Sequence, residues 1–189
     1  MIKYLRMMAM ISILAITAGC QMDQSTSASG TKAADAAMDQ EAKAALQSLY
    51  TSTPKSRALA QKAKGILVFP DVVKAGFIAG AHHGEGELIE NGKVTGYYST
   101  TAASYGLQAG VQRFGYAMFF MSDSALQDLK TGNGFEVGVG PSIVVEDAGA
   151  AKSLTTSTIQ SDIYAFIFDQ KGLMAGVGLQ GSKISKLSR

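Results

Sequence analysis

Lys74-Ala75-Gly76-Phe77-Ile78-Ala79-Gly80 is a stretch that this chain writes more than once. It returns near the C-terminus, one residue shorter, as Lys171-Gly172-Leu173-Met174-Ala175-Gly176. Between the two, Gly106-Leu107-Gln108-Ala109-Gly110 keeps the same order of glycine, large apolar residue, any residue, alanine and glycine. Apolar residues spaced by glycine, with no catalytic polar group among them, predict packed strands whose backbones lie close to something else. A scaffold or binding surface is expected, and no enzyme.

Working outward, each copy has an apolar run before it, residues 66–69 in one case and 163–168 in the other, followed by a turn with Asp and Lys. This repetition suggests an internal duplication. The alternative is that glycine-rich strands resemble one another through composition alone. The apolar content of 47% and charged content of 17% mark an ordered globular chain for most of its length. A chain of 189 residues suffices for one sizeable core or two small lobes. Its 21 glycines against three prolines suit sheets with tight turns better than a helical bundle.

The first nineteen residues read as a targeting segment. Lys3 and Arg6 precede an apolar run over 7–16, too short to span a bilayer. The run ends in Thr17-Ala18-Gly19-Cys20, with the only cysteine of the chain. This resembles a bacterial lipobox, with cleavage after Gly19 and acylation of Cys20, although Thr17 stands where Leu, Val or Ile is usual. An ordinary signal peptide with a chance cysteine is the alternative. By the same resemblance, Gln21 after the cysteine implies an outer-membrane destination, facing the periplasm or the surface. Loss of Lys3 and Arg6 leaves fifteen basic against fifteen acidic residues, a balance that disfavours nucleic-acid binding. One cysteine permits no intrachain disulfide.

Residues 20–35, rich in Ser, Thr, Ala and Gln, are expected to be a flexible tether, and 36–189 the folded domain. A helix is predicted over 36–50, with Ala42, Leu46, Leu49 and Tyr50 as its apolar stripe. Thr53 and Pro54 predict the capped start of a second helix, running over 56–64 and closed by Gly65. Lys55, Arg57, Lys62 and Lys64 on it form either a solvated face or a contact to anionic headgroups. Residues 66–69 predict a central buried strand, and 74–81 the next. Asn91-Gly92 predicts a hairpin turn. Separate strands are expected over 94–100, 104–111 and 116–121. Ser122 is predicted to cap a helix over 124–130 that Gly132 closes. A second lobe is expected from about residue 134, with Gly138 and Gly140 on one face and strands over 163–168 and 177–184. The fold class expected is α+β, with glycine-rich antiparallel or mixed sheets and flanking helices.

No catalytic constellation emerges. Ser104 lacks the glycine and helix of a hydrolase elbow. His82 and His83 are adjacent, so on a strand they face opposite ways and share no metal or base site, even with Glu85 and Glu87 nearby. Gly132-Asn133-Gly134 satisfies neither nucleotide fingerprint. Asp123, Asp128, Glu146 and Asp147 show no spacing that pairs them. No metal and no cofactor is expected.

Ala63-Lys64-Gly65-Ile66, Lys74-Ala75-Gly76-Phe77, Gly84-x-Gly86, Gly140-Pro141 and Lys171-Gly172-Leu173-Met174-Ala175-Gly176-Val177-x-Leu179-x-Gly181 together resemble the SYLF domain, from about Pro54 to the C-terminus. That domain occurs in yeast actin-patch proteins, animal SH3-containing proteins, plant FYVE proteins and many bacterial lipoproteins. The resemblance implies a non-catalytic lipid-binding domain built of two related BON-like α/β units. It implies anionic phospholipid as ligand, and does not by itself carry actin binding to this chain. Lys74 and Lys171, at matching places in the two copies, are the first headgroup candidates, followed by Lys62, Lys64, Lys183 and Lys186. Strand-end lysines that protect sheet edges are the alternative for each. The function expected is an envelope lipoprotein that binds anionic phospholipid. The alternative is a structural or protein-interaction module of the envelope that uses lipid only as anchor.

Overall fold

The computed structural model describes residues 24–131, 135–137, 143–147 and 161–188. In chain order these form α1 (Gln24–Ser52), α2 (Pro54–Ala60), β1 (Gly65–Glu90), β2 (Lys93–Phe120), α3 (Asp123–Thr131), β3 (Phe135–Val137), β4 (Ile143–Asp147) and β5 (Ile163–Lys186). The fold is α+β, with one five-stranded sheet.

Three very long strands carry that sheet. β1 pairs antiparallel with β2 from Gly65↔Phe120 to Glu90↔Lys93. β5 pairs antiparallel with the other edge of β2 from Phe120↔Ile163 to Tyr98↔Lys186. The short β4 lies parallel to the start of β5, and β3 antiparallel to its end. Asn91 and Gly92 turn β1 into β2 with φ of 50° and 75°, the left-handed pair that a two-residue hairpin needs.

The ribbon then folds back on itself. Around residues 76–80 the chain bends so sharply that a methyl on Gly76 would sit 2.5 Å from Gly80 Cα. Further from the bend, a methyl on Gly84 would lie 2.8 Å from Val72 Cγ2, and one on Gly86 would collide with the Val68 carbonyl. Glycine is what allows the two limbs of β1 to approach this closely.

Alternation along the strands splits the core in two. Leu67, Phe69, Met118, Phe120, Ile163 and Ala165 point inward, where they meet Leu88, Tyr98 and Ile184 from the returning limb. The neighbours Val68, Ala117, Phe119, Tyr164, Phe166 and Phe168 point outward, against α1 and α2. Period two along a strand buried on both faces produces this division. Helix α1 presents Ala42, Ala45, Leu46 and Leu49, spaced as one helical face, while α3 inserts Ala125, Leu126 and Leu129 into the inner core.

Several expectations change. The stretch over 66–69 is buried as expected, but it lies at the end of the strand order and is not central: the helices and the returning limb cover it. The strands predicted separately over 94–100, 104–111 and 116–121 are one strand, because the residues left between them, 101–103 and 112–115, are paired positions within it. The strands of the described residues make one five-stranded sheet. The three glycine-rich segments lie side by side in that sheet, with Gly76 opposite Gly110 and Gly110 opposite Met174.

Helix α1 starts at Gln24, so the segment expected as a tether is helical from there. It is alanine-rich and proline-free, and helix propagates readily from the packed second half of α1. Helix α2 ends at Ala60, and Gly65 opens β1 instead of closing the helix. Thr53 precedes α2 without a capping bond from its side chain, whereas Ser122 Oγ does accept the Ala125 N–H, at 3.3 Å. Gly132, Gly138, Gly140, Pro141, Gly19 and Cys20 lie outside the described residues.

Candidate functional site

The repeated glycine stretch sits at the bend and is not packed. Phe77 is 75% exposed, Val111 55% and Ile78 48%, and Val73 is exposed beside them. Ile78 holds a φ of 66° where the pairing of β1 with β2 is interrupted between Phe77 and Ala79. A β-branched residue in that region is strained, and it forms the outermost turn of the bend. The expectation of burial failed because glycine spacing reports close backbone approach without saying which side the apolar residues take.

Register fixes which residues share a face. Val73 lies opposite Arg113, Ala75 opposite Val111 and Phe77 opposite Ala109, while Arg113 also lies opposite Lys171. This is the outer face, the same one on which α1 packs further down the ribbon. Between α1 and these residues lies a cavity of about 470 Å³. Glu41 from α1, Asp71, Arg113, Phe114, Asp169 and Lys171 are among its lining residues. Arg113 donates through Nε to Asp71 Oδ1 at 2.9 Å and through Nη2 to Oδ2, a fork that raises its pKa further. Asp169 has a φ of 52° in a bulge of β5, and Gly172 a φ of 97° under the Val111 carbonyl. The Asp-and-Lys turns of the two sequence copies thus converge on one cavity.

The six candidate lysines do not converge. Lys171 borders the cavity, but Lys74 lies opposite Gln112, next to the partner of Lys171 and therefore on the inner face. Lys62 and Lys64 are exposed between α2 and β1, with Lys64 Nζ 3.4 Å from Asp123 Oδ2. Lys183 and Lys186 are exposed at the far end of β5, opposite Thr101 and Tyr98.

The histidines separate as adjacent strand residues must: His83 is exposed, while His82 is buried between the limbs. Its Nε2 lies 3.4 Å from Thr100 Oγ1, and its ring meets Phe114 edge-on at 6.2 Å. Burial, with Lys74 and His83 adding to it, lowers its pKa to about 4, so the ring is neutral. Among the described residues no group of three His, Cys, Asp or Glu could hold a metal.

Sequence reasoning passed over an acidic cluster under α1. Glu87 is fully buried, with its carboxyl beside that of Asp39. Burial and the nearby Asp39 carboxyl raise its pKa to about 8, with Lys43 opposing them. Tyr97 donates its hydroxyl to Asp39 Oδ1 at 3.2 Å, and burial and Asp39 raise its pKa to about 12. The alternation of β1 puts Glu87 on the face opposite Leu88, and only the position of α1 shows that this face is buried.

No curated protein matches the chain. Residues 101–188 match the family model described as Ysc84, Las17-binding protein actin regulator. That span takes in most of β2 and all of β3, β4 and β5, and begins well after Pro54, where the sequence resemblance starts. Over residues 101–188 the chain is thus similar to the Ysc84 family, which is consistent with the SYLF resemblance read from the sequence.

Proposed function

We propose that this chain is a non-catalytic envelope lipoprotein, acylated at Cys20, whose SYLF domain binds phospholipid at an anionic membrane surface. The observation that carries this reading is the exposed apolar bend of Val73, Phe77, Ile78 and Val111, with Lys171 on the same ribbon. A contiguous exposed apolar patch on an otherwise well-packed chain marks an interaction site. Burying Phe77 and Ile78 in a bilayer would contribute about 1.5–3 kcal/mol each. An acyl anchor makes that contact effectively intramolecular, so a weak surface interaction suffices. Co-sedimentation of the full chain carrying Cys20→Ser with neutral and anionic vesicles, at two salt concentrations, tests it. Salt-sensitive binding that Phe77→Asp removes supports the reading, and no binding to any vesicle overturns it.

A second reading, a protein-interaction module of the envelope, is favoured by the family description, which names a protein partner and actin regulation for that family. In that case the bend seats on protein, and the Cys20→Ser chain ignores vesicles whatever their charge.

A further inference from the structure

We propose that the cavity between α1 and the outer face of the ribbon binds the headgroup of an aminophospholipid, a phosphodiester with an ammonium a few atoms away. This rests on the membrane-binding reading above and specifies which lipid the domain selects.

The cavity volume of about 470 Å³ falls in the range of small-molecule sites. Its charged lining is mixed: Arg113 and Lys171 against Glu41, Asp71 and Asp169. A simple anion placed there meets three carboxylates, and a simple cation meets a guanidinium and an ammonium. A ligand carrying both charges meets complementary groups at each end. Asp71 already holds two N–H groups of Arg113, which fixes the plane of the guanidinium at the cavity wall. Lys171 then supplies the second positive charge for a phosphate, while Glu41 and Asp169 remain to receive an ammonium through N–H donation.

The position of the cavity makes the occupant an amphiphile. From Arg113 the same face runs through Val73 and Val111 to Phe77, all exposed and apolar. A headgroup seated between Arg113 and Lys171 places its glyceryl end toward that strip, and the acyl chains follow the residues expected to enter the bilayer.

The test compares binding of the full Cys20→Ser chain to three vesicle types: phosphatidylglycerol alone, phosphatidylglycerol with phosphatidylethanolamine, and phosphatidylglycerol with phosphatidylcholine, whose quaternary ammonium has no N–H. The expected result is at least fivefold tighter binding with ethanolamine than with choline lipid. Glu41→Gln with Asp169→Asn, both exposed positions, should abolish that preference while leaving binding to phosphatidylglycerol intact. Equal binding to ethanolamine and choline vesicles overturns the inference and leaves the membrane reading standing. Absence of binding to all vesicles overturns the membrane reading instead. The cavity is then tested by titrating soluble glycerophosphoethanolamine and following backbone amide shifts. Shifts at Arg113, Gly115 and Lys171 that vanish in the double variant uphold the headgroup site, and unperturbed amides refute it.

Discussion

Lys74 and Lys171 lie one register step apart across β2, and that single step puts them on opposite faces of the sheet. The two residues occupy matching places in the repeated sequence but are not equivalent in the fold. Lys171→Gln should weaken binding to anionic vesicles about fivefold, the effect of one charge worth about 1 kcal/mol near such a surface. Lys74→Gln should leave vesicle binding unchanged and move the His82 pKa up from about 4, because Lys74 is one of the charges that holds it down. Co-sedimentation and the pH titration of the His82 ring by NMR check the pair.

Ile78 is expected to be a place where stability is given up for contact. Its φ of 66° suits glycine, so Ile78→Gly should stabilise the fold by up to about 1 kcal/mol in urea unfolding. The same variant loses an exposed apolar side chain at the bend and should bind vesicles less well. A variant that unfolds more readily than the parent would show that the bend does not strain Ile78.

Gly86 tests the folded ribbon itself. A methyl there meets the Val68 carbonyl and the Phe69 ring, so Gly86→Ala should cost about 1–3 kcal/mol by forcing the two limbs apart. Gly96→Ala is the comparison, since its nearest contact is the far end of the Tyr98 ring, 3.2 Å away. The shift in urea midpoint should be clearly larger for Gly86→Ala.

Stability should depend on pH through two buried groups with opposite signs. The Glu87 carboxyl is raised from 4.5 to about 8 in the folded chain, by burial and Asp39 against Lys43. Its folded form holds a proton that the unfolded form releases, so stability falls as pH rises from about 4.5 through 8. His82 is lowered from 6.5 to about 4, by burial, Lys74 and His83. Its contribution is complete above 6.5 and is lost as pH falls toward 4. The two slopes oppose each other where the windows overlap, from about 4.5 to 6.5, so the melting temperature should be level there and decline from 6.5 toward pH 8. Glu87→Gln should remove the alkaline decline, and a variant that retains it would place the cause elsewhere.

Much of the local structure was legible in the sequence. Asn91-Gly92 specified its turn through left-handed backbone, Ser122 specified the start of α3, and the run over 66–69 was recognisable as buried. What escaped was non-local. Glycine spacing announced a close backbone approach, but that Gly76, Gly84 and Gly86 are contact points between limbs of one strand depends on residues up to eighteen positions away. The cavity escaped for a related reason. Asp71, Arg113 and Asp169 come from three strands, and only the register brings the two Asp-and-Lys turns to the same place.

The family match opens at Thr101, in the middle of the unbroken β2 strand. The stretch that the family model matches and the stretch that folds together are therefore different lengths of chain. A fragment cut to the matched span would shorten β2 and discard β1, the strand paired along its whole length. The remaining edge would offer a long row of unsatisfied backbone groups to any neighbour, and such a fragment should aggregate. The likeness begins inside β2, but the unit of stability reaches back at least to the helix that covers the sheet.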